Sequence, residues 1–299
     1  MTHSSRFAGV WCPSVTPFDE NGRPDLAALE KHLQRLEQAG TDVVLLMGSI
    51  GEFPSLTLDE RLALIRAAKT MTGVPMVANV SATCVPDMLR LADAAYENGY
   101  DAVMALPHYY FHQTPRQLLG YYRALGEKLA GKWFAYNFPA RTGCDLDAPL
   151  VAQLAQEFPD FAGIKDTVDC QSHTRALILA TQAVRPDFAV LSGYDEYLIP
   201  NLLAGGAGVI SGLNNIVPAL FVRAVQAWRD GDLACLRQIQ RDIGRLSAIY
   251  TIGDDFVTTI KTAVARKFGY MGAASRNYGG ALTQQECAAI DALFTDFEQ

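Results

Sequence analysis

The chain has 299 residues, of which 49% are hydrophobic and 19% charged. This composition supports a large buried core and excludes a fibrous or disordered protein. The formal net charge is -7 and no long run of Lys or Arg occurs, which argues against nucleic acid or a membrane surface as the main partner. The chain shows neither a signal peptide nor a long apolar run, so we expect a cytoplasmic protein.

Short β-rich runs alternate with amphipathic segments of helical length along the first three quarters of the chain, which is typical of βαβ units. The predicted strands are Gly9 to Val15, Asp42 to Gly48, Pro75 to Ser81, Ala102 to Pro107, Trp133 to Phe138, Ala162 to Lys165, Ala189 to Gly193 and Gly208 to Ser211. Eight such units without a break favour a closed (β/α)8 TIM barrel over an open doubly wound sheet.

Helix start signals lie between these strands. Asp25 and Asp147 precede amphipathic runs, and Thr57 with Glu60 predicts a capping box. After the eighth strand only helical stretches remain, namely Pro218 to Ile252, Asp254 to Phe268 and Thr283 to Phe297. We therefore expect a catalytic barrel over residues 1–225 and a C-terminal helical appendage, residues 226–299, packed on it.

Lys165 stands at the end of the short apolar sixth strand, in the segment GIKDT. The carboxyl ends of the strands form the active site of a β/α barrel, so this amine is predicted to point into the barrel mouth. Burial there favours a neutral amine, which is the form that attacks a carbonyl carbon. The alternative is a lysine that reaches solvent or pairs with Asp166.

Two further features lie at the ends of other strands. Tyr136 ends the fifth strand, where its hydroxyl is suited to move protons to and from a carbinolamine and an imine. The loop from Gly48 to Gly51 offers backbone N–H groups and the Ser49 hydroxyl to a carboxylate next to the attacked carbonyl. The structural alternatives are a core tyrosine and a tight turn that needs glycine.

Four segments in this order resemble the dihydrodipicolinate synthase and N-acetylneuraminate lyase family of Schiff-base, pyruvate-handling enzymes. They are GSIGE after the second strand, PHYY after the fourth, YNFPARTG after the fifth and GIKDT on the sixth. The resemblance runs from about Val15 to the end of the barrel. It implies a class I lyase for carbon–carbon or carbon–oxygen bonds that needs neither a metal nor a cofactor, because the substrate forms a covalent imine with Lys165.

The resemblance implies the catalytic roles one position at a time. Lys165 matches the Schiff-base lysine, and Tyr136 matches the tyrosine that donates and accepts protons. Ser49 occupies the hydroxyl position of the proton relay. Either Tyr109 or Tyr110 matches a tyrosine lent across a tight dimer interface, and a homotetramer built as a dimer of dimers is implied as well.

Other positions match substrate contacts of the family. Gly48 and Ile50 belong to the loop that binds the pyruvate carboxylate, and Ile50 replaces a residue that is often Thr. Arg141 matches the arginine that binds the carboxylate of aspartate semialdehyde in the synthases. Gly193 of SGYD, and Ile210 of GVIS with its backbone carbonyl near pyruvate, complete the expected substrate site.

Two activities with different second reactants remain open within this family. Arg141 and the RTG that follows YNFPA favour a 4-hydroxy-tetrahydrodipicolinate (dihydrodipicolinate) synthase, which condenses pyruvate with aspartate semialdehyde. Ile50, the segment GSIGEFPSLT, and IKDT followed by GYD favour an aldolase. Such an enzyme cleaves a 4-hydroxy-2-oxo acid or a 2-keto-3-deoxy sugar acid to pyruvate and an aldehyde, and this is the preferred interpretation.

Two other classes of protein fit the sequence less well. A metal-dependent aldolase needs a cluster of His and carboxylate ligands, and the close pair His108 and His112 flanks aromatic residues in a loop. A non-catalytic protein that binds a 2-oxo acid would account for the missing hydroxyl at Ile50. It would not explain why the lysine, the tyrosine and the serine occur together.

Overall fold

Eight parallel strands form a closed barrel in the order β1 to β8 in the computed structural model, which describes residues 6–277 and 279–297. They are β1 Gly9–Pro13, β2 Val43–Leu46, β3 Met76–Asn79, β4 Ala102–Ala105, β5 Trp133–Asn137, β6 Phe161–Asp166, β7 Ala189–Ser192 and β8 Gly208–Ile210. This confirms the eight predicted strands and the predicted TIM-barrel fold.

Every residue of the eight strands is buried. Burial on both faces explains why the strands are continuous apolar runs in the sequence without polar alternation. The second strand ends at Leu46, before the predicted end at Gly48, because Met47 has a φ of 55° and leaves the extended conformation.

Twelve α-helices join and flank the strands in the described part of the chain. They are α1 Leu26–Gln38, α2 Leu58–Ala68, α3 Val85–Glu97, α4 Pro115–Gly126, α5 Pro139–Thr142, α6 Ala148–Glu157, α7 Gln171–Gln182, α8 Leu198–Leu203, α9 Pro218–Asp230, α10 Leu233–Leu246, α11 Phe256–Phe268 and α12 Gln284–Phe294. Asp25, Thr57 and Asp147 cap α1, α2 and α6 with their side chains, as predicted. Across residues 6–277 and 279–297, no helix is long and apolar enough to cross a membrane.

The chain divides into two compact units, and the first comprises residues 6–9 and 76–210. It contains β3 to β8 and α3 to α8. Trp133 of β5 stacks on Phe161 of β6 with ring centroids 4.1 Å apart, and Phe161 meets the edge of Phe188 at 4.9 Å. This aromatic packing holds β5 against β6, the two strands that carry Tyr136 and Lys165.

The second unit comprises residues 10–75 and the described residues from 211 onward. His32 of α1 is buried here, with Nδ1 2.6 Å from the Tyr270 hydroxyl and Nε2 2.9 Å from the Asn215 side-chain oxygen. Burial lowers the pKa of His32 to about 3, so the ring is neutral and links α1 to the C-terminal region. The predicted division at residue 225 stays a prediction.

Candidate active site

Lys165 and Tyr136 lie side by side, because the parallel pairing of β6 with β5 places them opposite each other. The Lys165 Nζ donates a hydrogen bond to the Tyr136 Oη over 3.2 Å and lies 4.3 Å from the ring centroid. Lys165 is only 5% exposed and Tyr136 1%, so the alternative in which the amine reaches solvent is wrong. The phenol is placed to exchange a proton with the amine or with a group bonded to it.

Asp166 points to the opposite side of β6 from Lys165, because side chains alternate along a strand. It is fully buried. Its carboxylate accepts hydrogen bonds from the Asn137 amide over 3.0 Å and the Thr174 hydroxyl over 2.7 Å, and lies 3.0 Å from His173 Nδ1. These bonds replace the ion pair with Lys165 that the sequence left open.

The loop that contains Gly48, Ser49 and Ile50 follows β2 in the second unit. A Cβ added at Gly51 would lie 2.9 Å from the Met47 Cα and 3.0 Å from a backbone oxygen, so this tight turn requires glycine. Ile50 is buried and Ser49 is half-buried. The predicted contacts of these three residues with the substrate and with Tyr136 stay predictions.

Glu52 closes this loop in a left-handed conformation with a φ of 57°. Its fully buried carboxylate accepts a hydrogen bond from Lys261 of α11 over 2.7 Å. The Ser275 hydroxyl donates to the same carboxylate over 2.9 Å and the Arg276 backbone N–H over 2.7 Å. The C-terminal helical region therefore fixes the end of the GSIGE loop.

Arg141 lies on α5, the short helix that follows β5. Its side chain is exposed, and its guanidinium lies 6.0 Å from the Phe138 ring centroid. Phe138 in turn stacks on Tyr136 with centroids 5.9 Å apart. The structure thus places Arg141 one aromatic ring away from the lysine–tyrosine pair, with its side chain exposed.

Tyr109 and Tyr110 lie in the loop between β4 and α4. Tyr109 is half-buried, whereas Tyr110 is 84% exposed and meets the edge of Phe111, which is 75% exposed. Large exposed aromatic side chains of this kind are common where two protein surfaces meet.

Three residues lie at or just after the ends of strands of the first unit. Ile210 ends β8, Gly193 follows β7 and Thr167 follows β6. A Cβ at Gly193 would lie 2.0 Å from the Thr167 Oγ1, so only glycine fits there. Ile210 is buried at the end of β8. The Thr167 Oγ1 is buried and has no hydrogen-bond partner within the described ranges. Sequence reasoning singled out the segment GIKDT but assigned no role to Thr167 within it.

His108 and His112 are engaged separately. His108 packs against the Tyr121 ring with centroids 4.8 Å apart, and the Nδ1 of His112 lies 2.9 Å from the Gly143 backbone oxygen. Among residues 6–277 and 279–297, no group of three or more His, Cys, Asp or Glu side chains is arranged to hold a metal ion.

Sequence reasoning missed the polar cluster behind the lysine–tyrosine pair. Asn137 and Asp166 are part of the motifs YNFP and GIKDT, so their positions next to Tyr136 and Lys165 carried a usable signal. His173 gave no signal, because a single histidine in the first turn of an amphipathic helix is ordinary.

The family model described as the dihydrodipicolinate synthetase family matches residues 6–288. The protein named "Probable 2-dehydro-3-deoxy-D-pentonate aldolase YjhH" of Escherichia coli K12 is 34% identical over 258 residues, which are 86% of each chain. A 4-hydroxy-tetrahydrodipicolinate synthase of Pelodictyon phaeoclathratiforme is 33% identical over 267 residues, 88% of this chain and 87% of that protein.

The fold is also similar to a solved structure of this family. The crystal structure of YagE, a prophage protein of Escherichia coli K12, in complex with pyruvate matches with a TM-score of 0.94 at 30% sequence identity. The match covers 98% of this chain and 99% of that chain.

Proposed function

Because the chain belongs to the dihydrodipicolinate synthetase family of lyases and aldolases, we propose that it cleaves a 4-hydroxy-2-oxo acid or a 2-keto-3-deoxy sugar acid to pyruvate and an aldehyde through a Schiff base on Lys165. One observation carries the proposal: a buried amine in hydrogen-bond contact with a buried phenol. The name of YjhH, a pentonate aldolase, supports the substrate class.

The proposed reaction begins when the neutral Lys165 amine attacks C2 of the 2-oxo acid. Tyr136 donates a proton to the hydroxyl that leaves as water, and the protonated imine results. The C3–C4 bond then breaks, its electron pair moves toward the iminium to form an enamine, and the C4 hydroxyl gives its proton to the Tyr136 phenolate and becomes an aldehyde. Protonation at C3 and hydrolysis of the imine release pyruvate and restore the amine.

The remaining predicted residues hold the substrate in this proposal. Backbone N–H groups near Gly48 and Ile50 and the Ser49 hydroxyl bind the carboxylate beside the imine. Gly193 and the Ile210 carbonyl line the pocket, and Arg141 meets the part of the substrate that leaves as the aldehyde. Neither a metal nor a cofactor is required, since the iminium itself withdraws electrons from the breaking bond.

A second activity, the condensation of pyruvate with aspartate semialdehyde, is favoured by the position of Arg141. The guanidinium is exposed one ring away from Tyr136, and it would bind the carboxylate of that aldehyde in a bidentate manner. The 33% identity to a 4-hydroxy-tetrahydrodipicolinate synthase supports the same alternative.

The proposed imine is tested by incubation with pyruvate and borohydride, followed by mass spectrometry of the digested protein. We expect a reduced pyruvate adduct on Lys165, and none in the Lys165→Ala variant. Lys261→Arg is the matched control, because it removes a second buried lysine and leaves Lys165 in place, so the adduct on Lys165 should form as in the wild type. A wild-type protein without an adduct, or a Lys165→Ala variant with full activity, would contradict the proposal.

The substrate class is tested by a screen for pyruvate release. The rate of pyruvate release from candidate 4-hydroxy-2-oxo acids and 2-keto-3-deoxy sugar acids is compared with the rate at which pyruvate condenses with aspartate semialdehyde. We expect release from the sugar acids to exceed the condensation rate. The reverse order would assign the synthase activity instead.

The proposed assembly is a homotetramer built as a dimer of dimers. In this proposal Tyr109 or Tyr110 is lent across the tight dimer interface toward the active site of the partner. The exposed aromatic pair of Tyr110 and Phe111 supports this role for the loop.

A further inference from the structure

A buried carboxylate anchors the start of α7 to the end of the lysine-bearing strand. Asp166 follows Lys165 in β6, and its carboxylate accepts a hydrogen bond from the Thr174 hydroxyl over 2.7 Å. The Nδ1 of His173 lies 3.0 Å from the same oxygen. His173 and Thr174 both belong to the first turn of α7, so this turn is tied to β6 by two adjacent side chains.

The second ring nitrogen of His173 reaches the loop that follows α5. Its Nε2 lies 3.2 Å from the Asp145 carboxylate. Asn137 reinforces this junction, because its amide group donates to Asp145 over 2.9 Å and its oxygen accepts from the Leu146 backbone N–H over 3.0 Å. Residues 145 and 146 are thereby fastened to the ends of β5 and β6.

The charges in this cluster keep the histidine protonated at neutral pH. Hydrogen bonds to Asp145 and Asp166 raise the pKa of His173 to about 10, against the opposing effect of burial. The Cys170 thiol at the start of α7 is a further titratable group that experiences the charge of His173. As an imidazolium, His173 donates an N–H to each carboxylate, and such charge-assisted bonds are among the stronger ones in proteins.

We propose that His173 is a positioning residue that holds the Arg141-bearing loop against the end of the strand that carries Lys165. The loop has little regular structure of its own, since α5 spans four residues and Gly143 follows it with a φ of 68°. The catalytic consequence rests on the proposed function. There, Arg141 meets the leaving aldehyde, so a loosened loop weakens substrate binding without slowing imine formation.

The structural part is tested by amide hydrogen exchange in the variants His173→Gln and Asp145→Asn. Loss of a charge-assisted hydrogen bond should speed exchange over residues 138–147 by about tenfold or more. Asp145 is half-exposed, so its variant should fold even where His173→Gln does not. Ser172→Ala, an exposed change in the same turn of α7, should exchange like the wild type. Unchanged exchange of the loop in both variants would overturn the inference.

The pH dependence separates this role from simple packing. The pKa of His173 is raised above its ordinary value of 6.5, so its stabilising contribution is fully present below that pH and is lost as pH rises through about 10. The difference in loop exchange between wild type and His173→Gln should therefore be constant between about pH 5 and 6.5 and disappear as pH rises above about 10. A difference that persists at that pH would refute the charge-based tie.

Kinetics test the catalytic consequence. In both variants we expect the KM for the cleaved acid to rise about tenfold, with pyruvate trapping by cyanoborohydride at Lys165 close to the wild-type rate. A fall in trapping with an unchanged KM would overturn the positioning role. A wild-type protein that traps no pyruvate would refute the proposed function instead, and the exchange measurements would still decide whether His173 holds the loop.

Discussion

The proposed chemistry depends on the contact between the Lys165 amine and the Tyr136 hydroxyl. A phenol 3.2 Å from the amine is within the distance at which a proton moves between two heavy atoms. Both groups are buried, and in the proposed mechanism the tyrosine is the proton donor for the hydroxyl that leaves during imine formation. The effect of this one oxygen atom is measurable.

We expect Tyr136→Phe to lower kcat by about 10² to 10⁴-fold, the usual contribution of a positioned acid–base group. Tyr96→Phe is the control, because that hydroxyl donates to the backbone oxygens of Gly131 over 3.1 Å and Lys132 over 3.0 Å. Its loss should cost about 1 kcal/mol of stability and leave kcat near the wild-type value. Steady-state assays with the substrate identified by the pyruvate-release screen distinguish Tyr136→Phe from its control variant. Equal kcat in Tyr136→Phe and wild type would remove the phenol from the mechanism.

At the scale of elements, the loop after β2 and the helix α11 form one structural feature. Glu52 adopts a left-handed backbone that is uncommon for a residue with a side chain. Its ion pair with Lys261 is fully buried. Burial lowers the pKa of Lys261, and the nearby Glu52 carboxylate opposes that shift. The carboxylate therefore offsets part of the cost of burying the Lys261 ammonium group.

Removal of the cation by Lys261→Met should destabilise the protein by roughly 3–5 kcal/mol, because the Glu52 carboxylate stays buried without its partner. The double variant with Glu52→Gln should recover part of this loss. Arg266→Ala breaks an exposed ion pair with Asp291 and should cost about 0–1 kcal/mol. Urea unfolding gives all three values. A single-variant loss as small as that of Arg266→Ala would contradict the buried-pair interpretation.

At the scale of the whole molecule, the exposed loop of Tyr110 and Phe111 is relevant to assembly. Soluble monomers rarely expose adjacent large aromatic side chains, and such patches are typical of contact surfaces. The proposed tetramer would cover them.

Sedimentation should give a mass of four chains of 32.6 kDa each for the wild-type protein. The double variant Tyr110→Ser with Phe111→Ser should sediment as a smaller species, because apolar contact area at the tight dimer interface is lost. A monomeric wild type would disprove the proposed assembly, and a double variant with the full tetramer mass would exclude this loop from the interface.

The sequence by itself determined the barrel and the lysine–tyrosine pair. Strands buried on both faces are continuous apolar runs, helix caps are local, and parallel neighbours end at the same side of a barrel, so Lys165 and Tyr136 were placed from pattern alone. Only the tertiary structure decided the contacts of His173 with Asp145 and of Lys261 with Glu52. Those partners are far apart in the chain, and no local periodicity specifies which distant side chains meet once helices pack.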